Sequence, residues 1–268
     1  MPAPIVIADS ITRFGPEAAG AVVVNASHGG VTAGYLAAKL QAVAAIFNDA
    51  GVGRDRAGIA GLDYLQDFGT PAATVGHDSA RIGDGADMMA SGIITHANAL
   101  AASLGVTPGQ SCRAAAAALQ QAHSAHRAPP EAPELAFLLI AKTPRVWALD
   151  SASLVLPEHN DAIVVTGSHG GLLGARPETA LKYDALGAVY NDAGIGKDAA
   201  GVSRLPALDA RGIAAATVSA ASARIGDARS TYADGIISRV NARAAALGLR
   251  DGISARDFVA GLRRALGA

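Results

Sequence analysis

A motif containing serine and arginine, which could carry out acyl-transfer chemistry, occurs twice in the chain. The sequence Ser-Ala-Arg-Ile-Gly-Asp spans residues 79–84 and again residues 222–227. A serine hydroxyl becomes a nucleophile when a base lies beside it, and an arginine guanidinium can bind a carboxylate through two hydrogen bonds. The motif therefore predicts nucleophilic serines and substrate-binding arginines, namely Ser79, Ser222, Arg81 and Arg224. Helix capping by the serines and internal ion pairing of the arginines are the structural alternatives.

Three residues are candidates for the base that such a serine needs. His28 and His169 occupy the same place in two copies of the motif Ser-His-Gly-Gly, and a histidine there could act as a general base or proton shuttle. Lys197 is the only one of the four lysines that lies in a repeated motif, where it could activate a hydroxyl or pair with a substrate charge. An exposed loop lysine and helix-capping histidines are the alternatives.

A third repeated motif, Asn-Asp-Ala-Gly, adds polar side chains at residues 48–51 and 191–194. Its asparagines are ligand donors or turn formers. The glycines of Ser-His-Gly-Gly let main-chain N–H groups approach a ligand closely, and the start of a helix favours an anion. An anionic substrate is therefore predicted to contact Asn48, Asn191, Asp49, Asp192, Gly29, Gly30, Gly170 and Gly171.

The motif copies predict a tandem repeat. Ser-His-Gly-Gly recurs after 141 residues, whereas Asn-Asp-Ala-Gly and Ser-Ala-Arg-Ile-Gly-Asp recur after 143. Periods this long indicate two homologous domains, at residues 1–130 and 131–268, which we expect to be related by a pseudo-twofold axis. A proline-rich stretch at residues 127–133 is typical of a linker. His77-Asp78 in the first copy is replaced by Ala220-Ala221 in the second, and such asymmetry is frequent where one half keeps the chemistry.

Each motif follows a short apolar run, and helical stretches separate these runs. This alternation predicts α/β domains with mostly parallel strands, whose carboxyl ends bring the motif loops to one edge. In the first copy the predicted strands are 21–24, 43–47 and 71–75, and the predicted helices are 32–40, 58–68 and 110–123. An extra strand at 135–141 and a final helix at 254–266 are predicted in the second copy.

Composition excludes several classes of protein. A formal charge of -1 gives no field for binding a nucleic acid, and the single cysteine excludes intramolecular disulfides and cysteine-rich zinc sites. The chain lacks the Gly-x-Gly-x-x-Gly motif and the spacing of a metal site, so neither a cofactor nor a metal is predicted. The start of the chain resembles no signal sequence, and no apolar run is long enough to span a membrane. We expect a cytoplasmic homo-oligomer without nucleic-acid or membrane partners.

The predicted architecture resembles that of ring-opening amidohydrolases such as cyanuric acid hydrolase, which also build one site from repeated units carrying Ser, Lys and Arg. Those enzymes have three units where this chain has two, and their motifs are not found here. The resemblance and the charged residues together favour a hydrolase that acts on a small anionic amide or imide at the interface of the two repeats. The alternatives are a non-catalytic binding protein for a phosphorylated or carboxylated metabolite, and an isomerase or lyase that uses paired histidines.

Overall fold

A computed structural model describes residues 1–123, 129–131 and 134–268. The predicted linker at 127–133 lies mostly outside these residues. The chain folds into two compact units, and each unit includes a short segment from the opposite half of the sequence. The first unit consists of Met1–Val52, Arg56–Ala132 and Gly196–Ala200, and the second consists of Gly53–Asp55, Pro133–Ile195 and Gly201–Ala268.

The first unit contains a five-stranded sheet with its strands in chain order, β1-β2-β3-β4-β5. The strands are β1 (Ile5–Ala8), β2 (Val22–His28), β3 (Ala44–Asn48), β4 (Ala72–Val75) and β5 (Ile94–Ala97). The first four are parallel, and β5 pairs with β4 in the antiparallel direction. The helices are α1 (Val31–Lys39), α2 (Gly61–Asp67), α3 (Gly85–Ser91), α4 (Ala99–Ser103) and α5 (Cys112–Leu119).

The second unit contains a six-stranded sheet in the order β11-β10-β9-β8-β7-β6. Its strands are β6 (Ala136–Ile140), β7 (Arg145–Leu149), β8 (Ala162–His169), β9 (Gly187–Asn191), β10 (Ala214–Val218) and β11 (Ile237–Val240). The central four strands are parallel, and the two edge strands are antiparallel to their neighbours. The helices are α6 (Arg204–Asp209), α7 (Ala228–Asp234), α8 (Ala242–Ala246) and α9 (Ala255–Ala265).

Small aliphatic side chains fill the core on both faces of the first sheet. Val23 packs with α1 and α2 on one face, whereas Val22 and Val24 pack with α3, α4 and α5 on the other. Because successive side chains of a strand point to opposite faces, a strand covered on both sides must be apolar at every position. This explains why the central strands are continuous apolar runs rather than alternating ones.

Within the described residues of the second unit, no helix is equivalent to α1. Its residues 172–186 are irregular apart from a short 3-10 turn at Pro177–Thr179. The side chain of Arg204, which is 5% exposed, holds this segment by donating to the carbonyl oxygens of Gly171, Thr179 and Ala180. Its guanidinium also lies 5.1 Å from the ring centre of Tyr190. The side chain of a buried arginine thus holds the segment that corresponds to helix α1 of the first unit.

The α/β prediction with mostly parallel strands is confirmed by the two mixed sheets and their helices. The extra strand predicted at 135–141 is present as β6. The antiparallel edge strands β5 and β11 were not predicted, because each is only four residues long and carries polar side chains. In the part of the chain that the structure describes, no helix is long and apolar enough to cross a membrane.

Candidate functional site

The three motif loops of the first unit follow neighbouring parallel strands. The register places His28, at the end of β2, beside Asn48, at the end of β3, and Asn48 beside Val75, at the end of β4. The residues that follow these strand ends therefore lie side by side at the carboxyl edge of the sheet. In open α/β sheets this is the edge where ligands bind.

Asp49 and His77 form a hydrogen-bonded pair at that edge. Asp49 is 3% exposed, and its Oδ1 accepts hydrogen bonds from Nδ1 of His77 at 2.9 Å and from the main-chain N–H groups of His77 and Gly51, both at 3.0 Å. Its Oδ2 accepts from the hydroxyl of Thr95 at 3.0 Å. These donors hold the carboxylate in one orientation. The imidazole beside it is 24% exposed and can therefore meet a ligand.

The pKa of Asp49 keeps its carboxylate ionised. Burial alone would raise this pKa, but the hydrogen bonds from His77 and Gly51 and the charge of His77 outweigh burial and lower it below its ordinary value. An ionised carboxylate only accepts hydrogen bonds, so Nδ1 of His77 carries a proton and Nε2 is the basic nitrogen. This is the orientation that a general base requires.

The second unit has the equivalent carboxylate without the histidine. Oδ1 of Asp192 accepts from the N–H groups of Gly194 at 2.9 Å and Ala220 at 2.8 Å. Ala220 stands where the first copy has His77. The aspartate is therefore part of the loop framework in both units, whereas the imidazole occurs in one. His77 was not among the predicted site residues, although its replacement by alanine in the second copy was the signal that could have identified it.

The predicted nucleophiles use their hydroxyl groups in hydrogen bonds with the main chain. Ser79 donates to the carbonyl oxygen of Gly76 at 2.8 Å and accepts from the N–H of Ile93 at 2.9 Å. Ser222 makes the same two bonds with the equivalent main-chain groups, at 2.7 and 2.9 Å. A hydroxyl that donates to a carbonyl does not donate to a base. The nucleophilic role of the serines stays a prediction, and these contacts do not favour it.

The predicted substrate-binding arginines form ion pairs in both units. Arg81 donates to Asp84 at 3.1 Å and to Asp198 at 2.8 Å, and the bond to Asp198 is the main cause that raises the pKa of Arg81. Arg224 has the same arrangement with the equivalent residues, Asp227 and Asp55. The side chain of Asp198 is 62% exposed. A substrate carboxylate could therefore take the place of Asp198 on Arg81 without breaking a buried contact.

Lys197 supports the loop of His77 and the helix that follows it. Its main-chain N–H donates to the carbonyl oxygen of His77 at 2.9 Å, and its Nζ donates to Asp87 and Ser91 on α3, both at 2.8 Å. Burial would raise the pKa of Asp87, but the bonds from Lys197, Arg81 and Ser91 lower it. The ammonium group of Lys197 is engaged by these two acceptors, and the contacts do not favour its predicted role as a base.

The second unit keeps this ion pair with the acid and the hydroxyl exchanged. Where α3 has Asp87 and Ser91, the equivalent positions of α7 are Ser230 and Asp234. The hydroxyl of Ser230 donates to Asp234 at 2.9 Å, and Nη1 of Arg54, which replaces Lys197, lies 3.4 Å from the same carboxylate. In both units, a carboxylate and a hydroxyl therefore lie one helical turn apart, and the carboxylate pairs with a lysine or an arginine.

This exchange predicts that the two positions can be swapped. Asp87→Ser is expected to lower the free energy of unfolding by about 1–3 kcal/mol, because Lys197 loses a charged acceptor in a partly buried position. The double variant Asp87→Ser/Ser91→Asp, which copies α7, is expected to recover most of that loss. Urea denaturation of the two variants measures both values. A double variant no more stable than the single one would show that the ion pair does not stabilise the first unit.

The predicted histidines accept hydrogen bonds from the glycines that follow them. Nδ1 of His28 accepts from the N–H of Gly30 at 3.1 Å, and Nδ1 of His169 accepts from the N–H of Gly171 at 3.1 Å. Desolvation by burial lowers the pKa of His28 to about 4. His28 is therefore neutral at pH 7, with its proton on Nε2. A base with so low a pKa is weak, and the contacts fit the loop-capping alternative.

The low pKa of His28 predicts sensitivity to acid. Its folded pKa of about 4 lies below the unfolded value of 6.5, so its neutral form stabilises the fold fully above pH 6.5, and this contribution is lost as the pH falls toward 4. The pKa of His159 is also lowered by burial and adds to the same slope. Urea denaturation between pH 7 and pH 4.5 should show a decreasing free energy of unfolding. In His28→Asn the decrease should be smaller, and an unchanged slope would exclude His28 as its cause.

The predicted asparagines and glycines serve the main chain. Nδ2 of Asn48 donates to Ala80 at 3.1 Å and its Oδ1 accepts from Ala50 at 2.9 Å, and Asn191 makes the equivalent bonds in the second unit. These contacts fit the turn-forming alternative. A Cβ on Gly29 would lie 2.9 Å from the carbonyl oxygen of Gly58. Packing thus accounts for this glycine, and substrate contacts by Asn48, Asn191, Gly29, Gly30, Gly170 and Gly171 stay predictions.

The loop after each aspartate has an unusual backbone. Four successive residues, Ala50 to Gly53, have positive φ angles between 50° and 72°, and the equivalent residues 193–196 have values between 50° and 77°. A left-handed conformation costs about 1–2 kcal/mol for each residue other than glycine, and more for the β-branched Val52 and Ile195. This turn aims the N–H of Gly51 at Asp49. Strain of this kind concentrates at functional sites.

Metal ligands are not clustered in the described part of the chain. Within residues 1–123, 129–131 and 134–268, no group of three or more His, Cys, Asp or Glu side chains could hold a metal ion. The sequence His159-Asn160-Asp161 is part of the fold, since His159 accepts from the N–H of Leu156 at 2.9 Å and Asp161 pairs with Arg145.

Comparison of the chain with protein-family models, with characterised proteins and with solved structures finds no match. Any functional assignment therefore rests on the geometry of the site itself.

Proposed function

We propose that the protein is a hydrolase for a small anionic amide or imide, in which His77 is the general base that activates water. The observation that carries this proposal is the 2.9 Å hydrogen bond between Nδ1 of His77 and Oδ1 of the buried Asp49. In a histidine oriented in this way Nε2 is the basic nitrogen, the atom that would accept a proton. The Ser-His-Asp sites of known hydrolases use the same base and the same orienting acid.

The reaction follows from these two side chains and one water molecule. Nε2 of His77 accepts a proton from water as the water oxygen attacks the amide carbon, and Asp49 stabilises the imidazolium that forms. The C–N bond of the tetrahedral intermediate then breaks, and the imidazolium returns the proton to the leaving nitrogen. The products are an amine and a carboxylic acid, which then ionises in solution. A cyclic imide gives instead one ring-opened product that carries both an acid and an amide group. No covalent enzyme intermediate is needed.

An anionic substrate suits the arginine of the same loop. Arg81 lies four residues after His77 on the chain, and its side chain is 38% exposed. One of its nitrogens is bound to the exposed Asp198. A substrate carboxylate would replace that aspartate and gain a charge-assisted hydrogen bond. This exchange would place a small substrate between a fixed cation and the base.

Two matched variants test the proposal. Asp49→Asn and Asp192→Asn remove equivalent carboxylates that accept equivalent main-chain hydrogen bonds, but only the first removes the partner of a histidine. With a panel of carboxylate-bearing amides and cyclic imides, Asp49→Asn is expected to lower kcat by about 10²–10⁴-fold. Asp192→Asn should leave kcat within a few fold while costing similar stability.

Two outcomes would contradict the proposal. Equal losses of turnover in the two variants would show that both aspartates act through the fold. Absence of turnover with the whole panel, together with saturable binding of its members, would instead support the non-catalytic binding protein as the function.

A further inference from the structure

The Asp49–His77 pair extends to a second histidine. Oδ2 of Asp49 accepts from the hydroxyl of Thr95 at 3.0 Å, and that hydroxyl lies 3.1 Å from Nδ1 of His96. Both residues lie on β5, the edge strand of the first sheet. The hydroxyl of Thr74 lies 3.2 Å from that of Thr95 and 3.4 Å from Nδ1 of His96. A continuous chain of hydrogen bonds therefore joins two imidazoles through one carboxylate.

The chemistry of Thr95 fixes the direction of this chain. A hydroxyl has one proton. Among the described neighbours of Thr95, Asp49 is the nearer acceptor and the only charged one, since the carbonyl oxygen of Thr74 lies at 3.4 Å. With its proton given to Asp49, Thr95 accepts from Nδ1 of His96. The neutral form of His96 therefore carries its proton on Nδ1, as His77 does. His77 donates to Asp49 directly, and His96 donates to the hydroxyl that in turn donates to Asp49.

The second unit lacks this network at both ends. Ala220 replaces His77, and Arg239 replaces His96. The residue equivalent to Thr95 is Ser238, whose hydroxyl bonds to Thr217 at 3.0 Å and, within the described contacts, does not reach Asp192. The aspartate is common to both units, whereas the two histidines occur together in the first. This joint occurrence links His96 to His77 rather than to the structural role of the loop.

We propose that His96 is a positioning residue for His77, coupled to it through Thr95 and Asp49. By donating to the hydroxyl of Thr95, His96 keeps the proton of that hydroxyl on Oδ2 of Asp49, and this bond helps to fix the carboxylate that orients His77. The description of His77 as a base rests on the proposed hydrolase function, but the coupling itself requires no substrate.

The surroundings of the network contain few other charges. The strand β4 and the helix α4, which pack against β5, carry no titratable side chain. Asp78 faces Nε2 of His77 at 3.5 Å from an 85% exposed position. Lys197 touches His77 through its main chain, and its ammonium group pairs with Asp87. The charge of Asp78 is screened by solvent and lies beside His77 alone, so an effect that passes between the two histidines reports the shared carboxylate.

Imidazole NMR tests the coupling on the intact protein without a substrate. Ring 15N shifts should show His96 in its Nδ1–H form, and Thr95→Val should move its proton toward Nε2, whereas Thr95→Ser should preserve the wild-type form. The Nδ1–H proton resonance of His77 should shift in Thr95→Val and in His96→Gln and should keep its wild-type position in Thr95→Ser. In His77→Gln, the ring 15N shifts of His96 should change in turn.

The outcomes are distinct from those of the turnover experiments. An Nε2–H form of His96 in the wild-type protein, or an unchanged Nδ1–H resonance of His77 in His96→Gln, would overturn the coupling. His96→Gln alters a partly exposed side chain, so this arm stays informative even where Thr95→Val fails to fold. If the coupling is present but no amide or imide is hydrolysed, the inference stands and the proposed reaction fails. If turnover depends on His77 but no coupling is found, the reverse holds.

Discussion

His77→Ala is expected to lower turnover of an amide substrate by about 10²–10⁴-fold while KM changes little. The substitution removes the base, and the remaining three donors still orient Asp49. It copies Ala220, which occupies the same position in the second unit. The imidazole is partly exposed, so the free energy of unfolding should change by less than about 1 kcal/mol. Steady-state kinetics and urea denaturation measure the two effects separately.

Ser79→Ala is the comparison that separates activated water from a serine nucleophile. This variant removes the hydroxyl that links Gly76 to Ile93 and is expected to cost about 1–2 kcal/mol of stability. If water is the nucleophile, the folded fraction should keep its turnover within a few fold. Loss of turnover in Ser79→Ala equal to that in His77→Ala would restore the serine mechanism predicted from the motif.

Arg204→Ala is expected to destabilise the second unit by about 3–5 kcal/mol. The substitution leaves three carbonyl oxygens without their donor and creates a cavity beside the ring of Tyr190. Burial lowers the pKa of Arg204, because removing its charge from water costs free energy. Urea denaturation followed by the fluorescence of Trp147, the only tryptophan and a residue of β7, reports this unit directly.

Arg211→Ala provides the matched control for that effect. Arg211 donates to the carbonyl oxygen of Leu181 in the same irregular segment and pairs with Asp184, but its side chain is 28% exposed. Water can replace its bonds, so the loss should stay below about 1 kcal/mol. Similar losses in the two variants would mean that burial of Arg204 is not the source of its contribution.

Local sequence patterns predicted the strands and the convergence of the loops for a physical reason. Residues 21–24, 43–47 and 71–75 are apolar runs bounded by glycine-containing motifs, and each corresponds to a parallel strand. Strands in chain order must place successive loops beside one another, so Asp49 and the loop that contains His77 could be expected at one edge. Apolar runs and their spacing suffice for such an inference because a strand is determined by residues that are close in the sequence.

The partners of individual side chains could not be predicted in the same way. The contact of His77 with Asp49 depends on the register of β3 with β4 and on the strained turn after Asp49. The contact of Lys197 with Asp87 joins residues that are 110 positions apart. The repeated serines and arginines were predicted to form a site, yet repetition equally marks residues that stabilise the same turn in each unit. Only the position where the copies differ distinguished His77.

The segment Gly196–Ala200 makes the first unit depend on the order of synthesis. This unit includes that segment, and Lys197 from it binds the loop of His77 and α3. On a ribosome that adds about 5–20 residues per second, the five strands of the first sheet emerge well before residue 200. The nascent first half must therefore wait for several seconds without the hydrogen bonds that Lys197 donates to Asp87 and to the carbonyl oxygen of His77. A chain terminated early would fold its sheet and still carry an unfinished site.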